Sequence, residues 1–230
     1  MDTLYLAAIC AAVPGLGRSR IPALINALGS ARAVFEADAA TLTATGLCTL
    51  KAIHNFLGNR DARMPQKIDY FCRHYGVELL AYTDAAYPQS LQNLSDKPLV
   101  LYIKGKLPEA PYALAIVGSR RCTEYGVRAA AYFAQAMTRE GIPIISGGAK
   151  GIDTAAHEAC LQAGGTTVAV LGCGLDIAYP PENARLFARI AERGALVSEY
   201  PPGVPPIAAN FPARNRIIVA AQHAPWGVVA

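Results

Sequence analysis

The chain has 230 residues, 53% of them hydrophobic and 17% charged, which is enough apolar side chain to bury a core and excludes disorder as its main state. That length fits one large domain, or a medium domain with a small companion. Lys and Arg number 21 against 17 Asp and Glu, a net +4 spread evenly along the chain, so a histone-like binder is excluded and any anion-binding surface must come from placement.

The six cysteines, Cys10, Cys48, Cys72, Cys122, Cys160 and Cys173, form no C-x-x-C pair and have no histidine at metal-ligand spacing. Reduced thiols in a cytoplasmic protein fit this pattern better than a zinc site or a disulfide framework, and no metal or cofactor is expected. The apolar run at residues 4 to 13 follows Asp2 without Lys or Arg and passes into Pro14-Gly15-Leu16-Gly17, so it reads as a buried helix and not as a leader peptide. No run approaches the ~18 apolar residues of a membrane span.

In chain order, apolar residues recur at helical spacing over 4 to 13, 21 to 28, 47 to 56 and 68 to 75, with glycines between them, which predicts a small all-α unit over residues 1 to 80. Residues 77 to 82 and 99 to 103 read as strands, with turns at Tyr87-Pro88 and Lys97-Pro98. From residue 113 the pattern changes. Short apolar runs at 113 to 117, 142 to 145, 166 to 171 and 195 to 197 alternate with helical stretches near 125 to 140, 152 to 163, 183 to 192 and 214 to 220. That alternation predicts an α/β domain over 81 to 230, with a mostly parallel sheet covered by helices.

In an open sheet of this kind ligands bind at the carboxyl ends of the strands, and four clusters fall there. Gly118, Ser119 and Arg120 follow the first buried strand; they read as an anion site or as a plain strand-to-helix turn capped by Thr123. Ser146, Gly147, Gly148, Lys150 and Gly151 follow the next strand and have the make-up of a phosphate-binding nest, though neither a Walker loop nor a dinucleotide fingerprint is present. Asp153 and His157 behind them read as a bracing residue and a packed histidine, or as an acid-base pair. The third cluster, Gly172 to Asp176 with Tyr179, Pro180 and Asn183, reads mainly as turn and cap chemistry, and Cys173 as a buried thiol. In the fourth, Arg214 and Arg216 flank Asn215 at the expected start of a helix, where they call for a bound anion or a buried carboxylate, with Glu199 a candidate for the latter. Together the clusters predict a basic shelf that holds phosphates without reading bases.

These clusters, in this order, resemble the DNA-processing protein A family (DprA/Smf). The likeness is carried by Pro98-Leu99-Val100-Leu101-Tyr102-Ile103-Lys104-Gly105, Val117-Gly118-Ser119-Arg120, Ser146-Gly147-Gly148-Ala149-Lys150-Gly151-Ile152-Asp153, Ser198-Glu199-Tyr200 and Phe211-Pro212-Ala213-Arg214-Asn215-Arg216. The resemblance implies an extended Rossmann-like domain and a sterile-alpha-motif-like helical N-terminal domain. It also implies a non-catalytic, single-stranded-DNA-binding homodimer that helps load RecA recombinase during natural transformation. The family's binding positions fall here on Gly118, Ser119, Arg120, Ser146, Gly147, Gly148, Lys150, Gly151, Arg214 and Arg216. Beyond Val219 the family pattern continues with further strands and a second glycine/serine loop, whereas this chain runs from Ala220 to Ala230 and stops, so the α/β domain is expected to be incomplete at its C-terminal end. The alternative is an enzyme on the same fold, a nucleoside-monophosphate phosphoribohydrolase of the lysine-decarboxylase-like type. Against it, no P-G-G-x-G-T-x-x-E segment occurs in the chain.

Overall fold

Helix-capping chemistry explains how so many short helices hold at the start of the chain. Side-chain oxygens of Ser30, Asp38 and Thr49 accept hydrogen bonds from the backbone N–H groups of Ala33, Thr41 and Ala52, fixing the entries of three successive helices. In this computed structural model, which describes residues 2–12, 15–221 and 228–229, the first unit comprises residues 1–87 and 95–101. Its elements are α1 (Asp2–Ala11), α2 (Ile21–Leu28), α3 (Ala31–Glu36), α4 (Ala39–Ala44), α5 (Leu50–Asn59), α6 (Met64–Tyr75) and the strand β1 (Val77–Ala81). Leu6, Ile9, Leu24, Val34, Phe56 and Ile68 are its buried centre. The Arg60 guanidinium ties α3 to α5 by donating to the carbonyls of Phe35 and Ala37.

Periodicity missed α3 and α4, because six residues are too short to display a 3.6-residue repeat; their only local signals are the caps at Ser30 and Asp38. Val13 and Pro14, in the predicted first helix and the turn after it, lie outside the described residues.

The second unit comprises residues 88–94 and 102–230. It holds α7 (Gln89–Gln92), most of β2 (Val100–Gly105), β3 (Leu114–Val117), α8 (Glu124–Arg139), β4 (Ile144–Ser146), α9 (Ile152–Gln162), β5 (Thr167–Val170), α10 (Ala184–Arg193), β6 (Ala195–Ser198), α11 (Asn210–Ala221) and β7 (Val228–Val229). The strand order is β2-β6-β5-β4-β3-β7, parallel throughout except for β2, which pairs antiparallel with β6 from Tyr102↔Ser198 to Gly105↔Ala195. Val228–Val229 adds a short parallel strand beside Ile116 and Val117, in a stretch for which the sequence predicted none.

Two apolar clusters cover this sheet. Leu114, Ile116 and Ile144 meet Ala130 and Ala134 of α8 and Ile152, Ala156 and Cys160 of α9. Ala169, Leu171 and Leu196 meet Leu186, Phe187 and Ile190 of α10. Small residues on α8 and α9 let the two helices approach each other and the strands closely. The result is a mixed α/β fold in which the loops after β3, β4 and β5 converge at one sheet edge. No helix among the described residues is long and apolar enough to cross a membrane.

Candidate functional site

The convergent loops enclose a cavity of about 420 Å³, lined among others by Gly118, Arg120, Asp153, Tyr179, Phe211 and Asn215. A second lobe of about 190 Å³ continues past the same two rings toward Gly147, Lys150 and Gly172. Arg120 is exposed, and its guanidinium lies over the Phe211 ring with its carbon 4.6 Å from the centroid. Tyr179, 38% exposed, stands beside Phe211 at 5.5 Å between centroids and 35° between planes. The mouth of the cavity is therefore a planar cation and two aromatic rings, a surface suited to flat π-faces and anions together.

Beneath it the glycine loop is occupied by an internal anion. The buried Asp153 carboxylate accepts a hydrogen bond from Ala149 N–H at 3.2 Å, and the backbone N–H groups of Gly118 and Gly147 also favour its charge. The nest read from the sequence thus holds the chain's own carboxylate in this structure. Burial pushes the Asp153 carboxyl up from its ordinary range, and Arg214 with these three N–H groups pulls it back.

Arg214 sits deeper than its motif implied. The helix carrying it, α11, begins at Asn210 and not at Arg214, so Arg214 and Arg216 lie inside the helix and not at its start. Arg214 is 4% exposed, and its guanidinium donates to Gly147 C=O at 2.6 Å, to Val170 C=O and, through Nε, to Asn215 Oδ1 at 3.1 Å. Its Nη2 lies 3.9 Å from Asp153 Oδ2. Burial pushes the Arg214 guanidinium down, and Asp153 opposes that shift. Arg216, for which sequence left two partners open, forms a two-pronged pair with Glu199, at 2.6 and 2.7 Å. The carboxylate reading therefore describes Arg216.

Close approach explains three of the loop glycines. At Gly147 a Cβ would fall inside the Arg214 guanidinium and lie 2.7 Å from Asp153 Oδ2. Gly151 has φ +81°, and a Cβ there would strike the Ser119 carbonyl. Gly148 has φ +70°, a Cβ there would lie 2.6 Å from the Phe187 ring, and its carbonyl accepts from Asn183 Nδ2 at 3.0 Å, while the same Nδ2 donates to Thr154 Oγ1 at 2.8 Å. Ser146 is fully buried and its hydroxyl donates to Ile116 C=O at 2.5 Å, so it pins β4 to β3 and does not face the cavity. Ser119 is exposed and its oxygen accepts from Arg121 N–H at 3.1 Å, while Thr123 caps α8 by accepting from Gly126 N–H. Lys150 reaches across to Glu182 at 2.6 Å, an ion pair exposed on both sides and so open to salt screening.

His157 is a packed residue. Thr167 Oγ1 spends its proton on Ile144 C=O at 2.7 Å, so it accepts from His157 Nδ1–H at 2.7 Å, which fixes the neutral tautomer. Burial, and then the charge of Arg214, push the histidine down to about 3. Cys173 is 1% exposed with its thiol pushed up to about 11, mainly by burial, the opposite of an activated nucleophile. Sequence reasoning gave Phe211 no lining role and read Tyr179 as a stacking face or, preferably, a structural ring, whereas both line the cavity. The signal for Phe211 was its position three residues before Arg214, which puts both on one side of a helix.

A model of the family described as DNA recombination-mediator protein A matches residues 78–226. Protein Smf of Synechocystis sp. is 40% identical over 179 residues, which cover 76% of this chain and 45% of that protein. The DNA processing protein DprA of Streptococcus pneumoniae is 46% identical over 136 residues, covering 59% of this chain and 48% of its own length. The chain thus spans about half the length of the curated relatives it matches. The X-ray structure of DNA processing protein A from Streptococcus pneumoniae superposes with a TM-score of 0.78 at 30% identity, over 99% of this chain and 77% of that one. DNA processing protein A from Helicobacter pylori, whose structure was described for its single-stranded DNA binding mode, matches with a TM-score of 0.60 at 32% identity, over 68% of this chain and 69% of that one. The matched residues contain the three loops and the arginine helix that build the cavity, and on this agreement of sequence and fold the chain belongs to the DNA recombination-mediator protein A family.

Proposed function

We propose that this chain binds single-stranded DNA at the cavity mouth, with phosphates on Arg120 and Lys150 and bases against Phe211 and Tyr179. The observation that carries this reading is Arg120, an exposed guanidinium stacked on an aromatic ring and held by no ion pair among the described residues. A single strand presents unpaired π-faces and a flexible chain of anions to such a mouth, whereas a duplex hides the former. The family resemblance and the described binding mode of the Helicobacter pylori relative support the same ligand. In this reading Arg214, Asp153 and Asn183 hold the loops, and Gly118, Ser119 and the loop from Gly147 to Gly151 form the floor. Pairing of two chains and transfer of the strand to RecA during natural transformation complete the proposal; their support is the family resemblance.

Fluorescence anisotropy with single-stranded and duplex oligonucleotides at two salt concentrations tests it. Single strands are expected to bind more tightly, and Arg120→Ala and Phe211→Ala each to weaken that binding about tenfold, in line with ~1–3 kcal/mol per stacked base. Unchanged affinity and salt slope in a folded Arg120→Ala variant would overturn the assignment. Release of free base from nucleoside monophosphates at enzymic rates would replace it with the phosphoribohydrolase reading.

A further inference from the structure

From the loop that carries Arg120 the chain enters α8, whose outer face has a composition the fold does not require. Tyr125 is 74% exposed and Tyr132 69% exposed, values far above those of the rings in the core. They stand seven residues apart, so they lie one above the other on the same face, about 10 Å apart along the axis. Arg128 and Arg139 fall on that face between and below them, both exposed, and Arg121 precedes it at the cavity end. The opposite side of the helix supplies Ala130 and Ala134 to the core, so burial accounts for that side and leaves the tyrosines unexplained. Thr123 already caps the helix, and the one ion pair on the face among the described residues, Arg128 with Glu124 at 3.8 Å, is exposed on both sides.

We propose that this face, Arg121-Tyr125-Arg128-Tyr132-Arg139, is a track for the continuation of the single strand as it leaves the cavity. The inference rests on the proposed function above and extends it. Two features select a polynucleotide as the occupant. The arginines are complementary in charge to phosphates, and they alternate with rings at helical spacing, so cations and stacking faces alternate along about 21 Å of helix. The track is also continuous with the cavity mouth, since Arg120 and Arg121 are adjacent in the chain.

The test uses the whole chain and two oligothymidylates, one of about 5 and one of about 15 nucleotides, lengths near the two ends of the range of single-strand site sizes. The variants Tyr125→Ala/Tyr132→Ala and Tyr125→Phe/Tyr132→Phe change exposed positions only, and circular dichroism checks their folding. The alanine pair is expected to lose about tenfold or more in affinity for the long oligonucleotide and nothing for the short one, with the phenylalanine pair restoring binding. Arg128→Ala/Arg139→Ala lowers the salt slope for the long oligonucleotide by about 0.7 for each phosphate no longer neutralised. If the alanine pair binds the long strand as the unaltered chain does, the track is wrong while the cavity reading stands. If the short strand does not bind the unaltered chain, or binds Arg120→Ala equally well, the cavity reading fails first. Loss of self-association in the alanine pair with unchanged long-strand affinity would assign the face to a second copy of the chain and overturn the proposal.

Discussion

Replacing Arg214 by methionine is the sharpest test of how the site is held together. Methionine keeps most of the length and removes the charge together with the donors to Gly147 C=O and Val170 C=O. It also strips Asp153 of its counter-ion, 3.9 Å away, where both side chains are 5% exposed. At that separation, with an effective dielectric constant of about 20, the attraction removed is about 4 kcal/mol, within the ~3–5 kcal/mol typical of breaking a buried pair from one side. Urea unfolding followed by circular dichroism should show a loss of this size, and thermal unfolding a drop of about 6–20 °C for a chain of this length. The double variant Asp153→Asn/Arg214→Met removes both charges and is expected to recover about 2 kcal/mol or more relative to the sum of the single changes. A loss under about 1 kcal/mol, or singles that add within ~0.5 kcal/mol, would show that Arg214 does not act through Asp153 and would refute the reasoning.

Two further outcomes follow from the same network. The buried His157 binds a proton only near pH 3 in the folded chain, whereas in the unfolded chain it does so near the ordinary 6.5, so protonation favours unfolding and stability falls as pH drops through that window. The slope from this one group is at most about 1.4 kcal/mol per pH unit, and His157→Leu should flatten the acid side of a stability-versus-pH curve; an unchanged slope would remove His157 as its source. Gly151→Ala places a Cβ against the Ser119 carbonyl at a φ of +81°, and should cost about 1–3 kcal/mol in chemical denaturation and weaken strand binding as the floor shifts, whereas a neutral result would mean that the loop relaxes freely.

Much of the α/β unit was legible because its strands are buried on both sides and their apolar runs stand out against the helical repeats. The run at 142 to 145 became Ile144–Ser146, and the one at 195 to 197 became Ala195–Ser198. The short helices α3 and α4 were not legible, since a cap followed by six residues leaves no periodicity to detect. At the cavity, residue types pointed to the loops that line it, but the different environments of the four cations were hidden. Arg120 and Arg214 are both arginines in glycine- or asparagine-containing motifs; one is exposed on a ring and the other is buried among carbonyls.

By itself the sequence determined that strands alternate with helices, that donor-rich loops follow the strands, and which family the ordered motifs resemble. Such properties are local, set by the spacing of apolar residues and by turn chemistry. Only the tertiary structure decided that Asp153 fills the glycine nest, that Glu199 takes Arg216, and that Arg120 stays exposed over the Phe211 ring. Those outcomes depend on residues far apart in the chain, Gly147 and Arg214 being 67 positions apart, which meet because parallel strands bring their carboxyl ends to one sheet edge. Burial then sorts identical side chains into supports and contacts, since a charge withdrawn from water must be paired and one left at the surface need not be.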